Sequence, residues 1–167
     1  DNVAGARVAT QHLLDSGRTR IATITGPLTM ESAIDRVQGY RDALADAGFS
    51  PFAEESGDYS EASGGEAARR ILATGRPDAL FVASDLMARG ALTALRAAGV
   101  RVPEDIAVIG FDDSSVAVTC DPPLTTIRQP MYAQGEAMAQ VLLSRLAGED
   151  PPRTTILPTE LVVRASA

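Results

Sequence analysis

The sequence predicts an α/β protein in which helices cover both faces of a parallel sheet. Short apolar segments alternate with amphipathic helical segments along the 167 residues, an order that is typical of repeated strand–helix units. Two of the apolar segments, residues 79–83 and 106–111, contain no alternating polar residues. Continuous apolar strands of this kind favour a parallel sheet that is buried on both faces. Hydrophobic residues make up 45% of the chain, which is enough for one such domain.

Five helices are predicted from apolar residues spaced three or four apart and from residues that begin or end a helix. Gly17 and Gly48 end the first two, as glycine often does. Ser63 and Glu66 have the spacing of a capping box at the start of the third, and Ser84 and Asp85 open the fourth. The predicted helices cover residues 3–16, 29–47, 63–75, 86–98 and 130–147.

Six extended segments lie between these helices and after the last of them. Most are short and apolar, and glycine or proline follows several of them. They cover residues 21–25, 52–57, 79–83, 106–111, 125–129 and 156–163, and residues 114–124 are predicted to form a loop. In a parallel sheet a ligand lies beyond the carboxyl ends of the strands. The sequence therefore predicts a site near Gly26-Pro27, Ser84-Asp85 and Asp112-Asp113.

Composition excludes several kinds of site. Fifteen basic and 22 acidic residues give a net charge of −7, so the chain by itself is a poor partner for the phosphates of nucleic acid. Cys120 is the only cysteine and His12 the only histidine, which excludes an internal disulfide, a thiolate metal cluster and a histidine-rich metal site. We therefore predict no metal and no cofactor. No apolar run approaches the ~18 residues of a membrane span, so no membrane partner is expected.

Six stretches, in a fixed order and spanning nearly the whole chain, carry a resemblance to a known family. They are GARVATQHLLDSGRTRIATITGP, DRVQGYRDAL, GDYSEASG, FVASDLMARGALTALRAAGVRVPEDIAVIGFDD, LTTIRQP and ILPTELVVR. Together they resemble the effector-binding domain of the lactose-repressor (LacI/GalR-type) family of bacterial transcription regulators. The resemblance implies a periplasmic-binding-protein-like (type I) domain, in which two lobes hold a ligand between them.

The resemblance also implies that residues 1–167 are part of that domain, with an incomplete N-terminal lobe. Residues 18–128 would form the three-layer α/β/α C-terminal lobe. Residues 1–17 and 129–155 would be remnants of the N-terminal lobe, and residues 156–167 a crossing strand. The DNA-binding domain of the family, a helix-turn-helix, is absent from these residues.

Five residues become candidate ligand contacts when the family pattern is laid on this sequence. A sugar site needs groups that donate to and accept from hydroxyls, in a cleft that is partly apolar. Arg36 matches the family's ligand-binding arginine, and Asp112 its ligand-binding acid, with Asp113 as a turn residue. The alternatives are an arginine that is solvated or paired with Asp35 or with an acid elsewhere, and acids that only shape the loop. The candidate ligand contacts are Arg36, Tyr59, Asp85, Asp112 and Gln129.

The other three candidates have structural alternatives of equal standing. Tyr59 matches a position that is often aromatic in the family, and its alternative is ordinary packing. Asp85 could act as a helix N-cap, and Gln129 could make a hinge hydrogen bond. The family also implies a dimer interface formed by the helix after Asp85 and the loop near residues 114–122. The candidates on the helix are Met87, Ala91 and Ala94, although the apolar residues of that helix could instead pack within the lobe.

The function that the resemblance implies is recognition, not catalysis. The chain would sense a small molecule, a sugar or sugar derivative ahead of a purine, in a cytoplasmic repressor that is a homodimer and contacts operator DNA through its helix-turn-helix domain. One alternative is a periplasmic sugar-binding protein of a transport system, although VPEDIAVIGFDD and LTTIRQP favour a regulator. Another is a hydrolase with Asp85 and Asp112 as acid and base, disfavoured because no activating histidine, G-x-S-x-G motif or metal-ligand spacing accompanies them.

Overall fold

The computed structural model describes all 167 residues as six helices and six strands. The helices are α1 (Asn2–Asp15), α2 (Glu31–Asp46), α3 (Glu61–Thr74), α4 (Asp85–Ala97), α5 (Ser115–Thr119) and α6 (Met131–Leu146). The strands are β1 (Ile21–Thr25), β2 (Ala53–Ser56), β3 (Ala79–Val82), β4 (Ala107–Asp112), β5 (Thr125–Arg128) and β6 (Glu160–Val162). Every predicted element is present. The predicted loop over 114–124 was wrong in one respect, since it contains α5.

The strands form one sheet in the order β2-β1-β3-β4-β5-β6. The first five are parallel, and β6 pairs antiparallel with β5. The α/β fold class is therefore confirmed. Because the five parallel strands point the same way, their carboxyl ends meet at one edge of the sheet, which we call the carboxyl edge.

Helices cover the sheet on both faces, and each face has its own apolar core. On one face α3, α4 and α5 enclose Leu80, Val82 and Val108. On the other, α1 and α2 enclose Phe81, Ile109 and Phe111. Successive residues of a strand point to opposite faces, which is why the continuous apolar strands supply both cores.

Serine side chains cap two of the helices. The side chain of Ser60, not Ser63, accepts a hydrogen bond from the free backbone N–H groups at the start of α3. Ser84, not Asp85, caps α4 in the same way. In both cases a serine one or more residues earlier already satisfies the helix end, which leaves Ser63 and Asp85 available for other contacts.

Both ends of the chain pack on this sheet, which for α1 differs from the expected division into lobes. Helix α1, predicted to be a remnant of another lobe, buries Gly5, Ala6, Ala9, Thr10 and Leu13 against this sheet and α2. The C-terminal segment 156–167 likewise joins the same sheet through β6. Its buried Ser166 donates to the Val108 carbonyl and accepts from the Thr125 backbone N–H. Both segments are integral parts of this lobe because their apolar and polar groups are satisfied here.

Helix α6 differs from the other long helices because it has no buried residue. No helix of the structure has the length and apolar character that a bilayer crossing requires.

Candidate functional site

The candidate site lies at the carboxyl edge, between the end of β4 and the first turns of α2. Arg36 projects from α2 over the sheet, Asp112 is the last residue of β4, and Gln129 follows β5. Since each belongs to a different element, only the parallel arrangement of the strands brings them together. The structure places these three predicted residues in direct contact.

Arg36 is nearly buried, and its guanidinium group is held from several sides. Its Nη1 donates to the Ala83 carbonyl at 2.6 Å, and its Nε donates to Asn2 Oδ1 at 2.9 Å. The group stacks on the Phe111 ring, 3.8 Å from the ring centre. Burial lowers the pKa of Arg36, an effect that Asp112 opposes, but an arginine remains charged in proteins.

Asp112 is the partner of that charge. Its Oδ1 lies 3.5 Å from Arg36 Nη1 and accepts a hydrogen bond from Gln129 Nε2 at 2.6 Å. Burial raises the pKa of Asp112 to about 6, although the charge of Arg36 pulls it the other way. Asp112 and Asp113 have φ angles of 121° and 53°, and residues that carry a Cβ rarely adopt positive φ angles. Such strained backbone is often found at ligand sites.

Arg36 Nη2, with its two N–H groups, and Asp112 Oδ2 are left free for a ligand. Neither atom makes a hydrogen bond of ordinary geometry within the protein, although the Asp85 backbone N–H lies near the Asp112 carboxyl, and neither is sealed from solvent. A neighbouring hydroxyl pair could therefore accept from Nη2 and donate to Oδ2 at the same time. This is the arrangement that a polyhydroxy ligand requires.

Tyr59 lies at the same edge but in a constrained position. Its φ angle is 71°, and its ring covers Gly26, where an added Cβ would collide with the phenol. The hydroxyl of Tyr59 is buried without a hydrogen-bond partner.

The structure corrects the expectation for Asp85. This carboxylate is fully buried, and its oxygens accept from the Thr126 hydroxyl at 2.6 Å and from the Ser114 backbone N–H at 2.7 Å. Burial raises its pKa, and these hydrogen bonds oppose the rise. Because both oxygens are occupied and the residue is fully buried, Asp85 joins α4 to β5 and to the start of α5, and its carboxylate is not open to a ligand.

Asp113 also makes its contacts within the protein. It bridges Arg164 at 2.5 Å and Arg128 at 2.7 Å. Although burial opposes it, these hydrogen bonds hold the pKa of Asp113 below its usual value. Asp113 thereby ties the end of β4 to β5 and to the C-terminal segment.

The expected dimer contacts were wrong. Met87, Ala91 and Ala94 are buried in the core between α4 and α3. Gly64 and Gly90 let these helices approach so closely that a Cβ at either would collide with the opposite backbone. No surface of the three residues remains for a partner, because the face we expected to be free is covered by α3.

Sequence reasoning missed two side chains that complete the site. Asn2 and Phe111 hold the guanidinium of Arg36. Phe111 precedes Asp112 and could have been considered, but nothing in the local pattern marks Asn2, which lies 34 residues from its partner. The structure shows no group of three or more His, Cys, Asp or Glu side chains arranged to hold a metal ion.

Residues 10–167 match the family model for the periplasmic binding protein-like domain. The chain belongs to this family. Within the family, it is 46% identical over 170 residues to the HTH-type transcriptional regulator CelR of Thermobifida fusca, a match that covers 99% of this chain and 50% of CelR. The chain therefore spans about half the length of the curated relatives it matches.

Solved structures of family members have the same fold. A complex of the transcriptional regulator CelR with cellobiose superposes with a TM-score of 0.96 at 46% identity, over 100% of this chain and 52% of that one. A lac repressor dimer bound to operator and the anti-inducer ONPF superposes with a TM-score of 0.96 at 36% identity, over 99% and 58%. The homologues are LacI-family transcriptional regulators, so the resemblance seen in the sequence is confirmed.

Proposed function

We propose that this chain is the C-terminal part of the effector-binding domain of a transcriptional repressor, and that its carboxyl edge binds a sugar or sugar derivative. The observation that carries the proposal is the free donor of Arg36 beside the free acceptor of Asp112. The similarity to a regulator captured with cellobiose supports a sugar over a purine. The similarity to repressors favours this function over transport.

The bound sugar would act on DNA through a helix-turn-helix domain elsewhere in the same cytoplasmic protein. A ligand shifts a conformational equilibrium only when it binds the two states unequally. A site at the sheet edge meets that condition if a second lobe closes over it. The protein would act as a homodimer, like the lac repressor in its operator complex. With Met87, Ala91 and Ala94 buried, the exposed Leu86 of α4 and Val118 of α5 replace them as the proposed interface.

The same geometry argues for binding and against hydrolysis. A pair of acids could serve as proton donor and acceptor only if both reached the substrate. Asp85 is sealed by Ser114 and Thr126, so Asp85 and Asp112 cannot both reach a substrate as acid and base. Sugar turnover that Asp112→Asn abolishes would overturn the proposal in favour of an enzyme.

Titration calorimetry on the full-length protein that carries this chain tests the proposal. Cellobiose, other di- and monosaccharides, and purine bases are the probes. We expect one of the sugars to bind, and Arg36→Met and Asp112→Asn to weaken that binding at least 10-fold, since each leaves a buried polar partner unpaired. Asp121→Asn, which alters an acid 86% exposed and away from the site, is the control.

DNA binding provides the second half of the test. We expect the bound sugar to change operator affinity at a fixed salt concentration, because salt by itself alters any protein–DNA affinity. Sugar binding with unchanged operator affinity would contradict the regulatory part of the proposal. Binding of a purine in place of any sugar would contradict the ligand class.

A further inference from the structure

The orientation of Arg36 depends on a residue from a distant helix. Two of its nitrogens are held by acceptors on different elements: Nη1 by the Ala83 carbonyl after β3, and Nε by Asn2 Oδ1 at the start of α1. A guanidinium group is planar with its N–H bonds in a fixed fork. Two acceptors in different directions therefore fix the plane, and the plane fixes where the free Nη2 points.

The two acceptors do not contribute equally to that direction. The Ala83 carbonyl and Asp112 Oδ1 both act on Nη1, so on their own they leave the guanidinium free to swing about that nitrogen over the Phe111 ring. The bond from Nε to Asn2 removes this freedom. Because the amide oxygen is neutral, it orients Arg36 without cancelling the charge that Asp112 and a ligand share.

The contacts of Asn2 give it no other structural role in the fold. Asp1 supplies the side-chain cap of α1 by accepting from the Ala4 backbone N–H. Asn2 is only partly buried and does not belong to either core. Its one side-chain hydrogen bond within the protein is the bond to Arg36.

We propose that Asn2 is a positioning residue of the ligand site, whose Oδ1 holds the Arg36 guanidinium so that Nη2 faces the open edge beside Asp112. Asn2 acts through Arg36 and does not touch the ligand. The inference rests on the proposed function in taking Arg36 as a ligand contact. With this role of Asn2, helix α1 contributes to the site together with α2 and the strand ends.

The first experiment needs no ligand. In the 167-residue chain, the Arg36 Nε–H is followed by ¹⁵N NMR and the Asp112 carboxyl by ¹³C NMR through a pH titration. We expect the Nε–H to exchange slowly in the wild type and fast in Asn2→Ala and Asn2→Leu. Asn2→Asp retains an acceptor and should restore slow exchange. Loss of the fixed guanidinium in Asn2→Ala should also raise the pKa of Asp112 above its wild-type value.

The second experiment uses cellobiose as the probe of the full-length protein, or the sugar that binds in its place. We expect Asn2→Ala and Asn2→Leu to weaken binding by about 3- to 10-fold, the range for one hydrogen bond, and Asn2→Asp to recover most of the affinity. Gln11→Ala is the matched control, because Gln11 is an exposed amide on the same helix that bonds only to Asp15.

The outcomes separate this inference from the proposed function. Unchanged Nε–H exchange in Asn2→Ala, or unchanged affinity despite faster exchange, would overturn the role of Asn2. An equal effect of Gln11→Ala would also overturn it, since the cause would then be the helix as a whole. If the wild type binds no probe, the proposed function fails, and the Nε–H result by itself decides whether Asn2 positions Arg36.

Discussion

Helices α1 and α6 are two amphipathic helices of similar length that the structure treats in opposite ways. Five residues of α1 are buried, and none of α6 is. Helix α1 presents small residues to the sheet: a Cβ on Gly5 would lie 2.8 Å from Thr159 Oγ1 and 3.0 Å from the Phe111 ring. The apolar seam of α6, formed by Met138, Leu142 and Leu146, stays exposed.

The contrast shows that an apolar seam predicts burial of a helix face but does not identify the surface that covers it. The family resemblance assigns both helices to a second lobe, but α1 packs in the core of this sheet. Small residues allow a backbone to approach closely, whereas larger apolar residues such as those of α6 need a partner of their own. In the longer relatives, which are about twice the length of this chain, there is chain to supply one.

The largest contrast should come from removing one leucine from each helix. Leu13 of α1 is fully buried, whereas Leu142 of α6 is 58% exposed. We expect Leu13→Ala to lower the free energy of unfolding by about 2–5 kcal/mol, because it leaves a cavity. Leu142→Ala should change it by about 0.5 kcal/mol or less. Urea denaturation of both variants measures the difference, and similar losses would show that α6 is packed as α1 is.

One glycine in α2 and one in α6 provide a second comparison, with a smaller expected change in stability. A Cβ on Gly39 of α2 would collide with the Val3 carbonyl of α1, whereas one on Gly135 of α6 would meet nothing. Gly39→Ala should destabilise the protein by about 1–3 kcal/mol through overpacking. Gly135→Ala should stabilise α6 by up to about 1 kcal/mol, since alanine is the better helix former. Thermal melts in which Gly39→Ala is more stable than Gly135→Ala would contradict this prediction.

A change of pH should affect the carboxyl edge and leave α6 unaffected. The folded pKa of Asp112, about 6, is above its ordinary value of 3.8, so folding favours the protonated form. The stability from this group is complete below about pH 4 and is lost as the pH rises through about 6. Asp112→Asn should remove this loss, on the order of 1 kcal/mol after allowance for partial exposure.

The matched control for Asp112 is Glu136→Gln, which alters an exposed acid on α6. Unfolding free energies measured between pH 4 and pH 7 should keep their wild-type slope in this variant. If the slope of the unfolding free energy against pH became equally shallow in both variants, Asp112 would not titrate in the way its burial implies.

Substitution in the α6 seam is expected to have the smallest effect on stability and the clearest effect on self-association. We expect the 167-residue chain to self-associate through this seam as its concentration rises, because the exposed apolar residues are adjacent. Leu142→Glu should shift the population toward monomer in analytical ultracentrifugation. Val8→Glu, at a residue of α1 that is 47% exposed, should not. A monomeric wild type with α6 protected from hydrogen exchange would contradict this.

The sequence predicted most of the candidate site because parallel strands end at one edge. Arg36, Asp112 and Gln129 were placed there by motif and by strand position, and the structure brings them into contact. Asp85 lies at the same edge, but its carboxylate points inward to Thr126. Position at a strand end does not decide which way a side chain points.

What the sequence determined by itself was the order of the elements and the edge where polar groups gather. Periodicity and capping are local properties, and the burial of a continuous apolar strand follows from its composition. Only the tertiary structure decided that α1 packs on this sheet, that Met87 faces α3, and that Asn2 holds Arg36. These are contacts between residues far apart in the chain. They depend on how closely two backbones approach, and no local pattern encodes that distance.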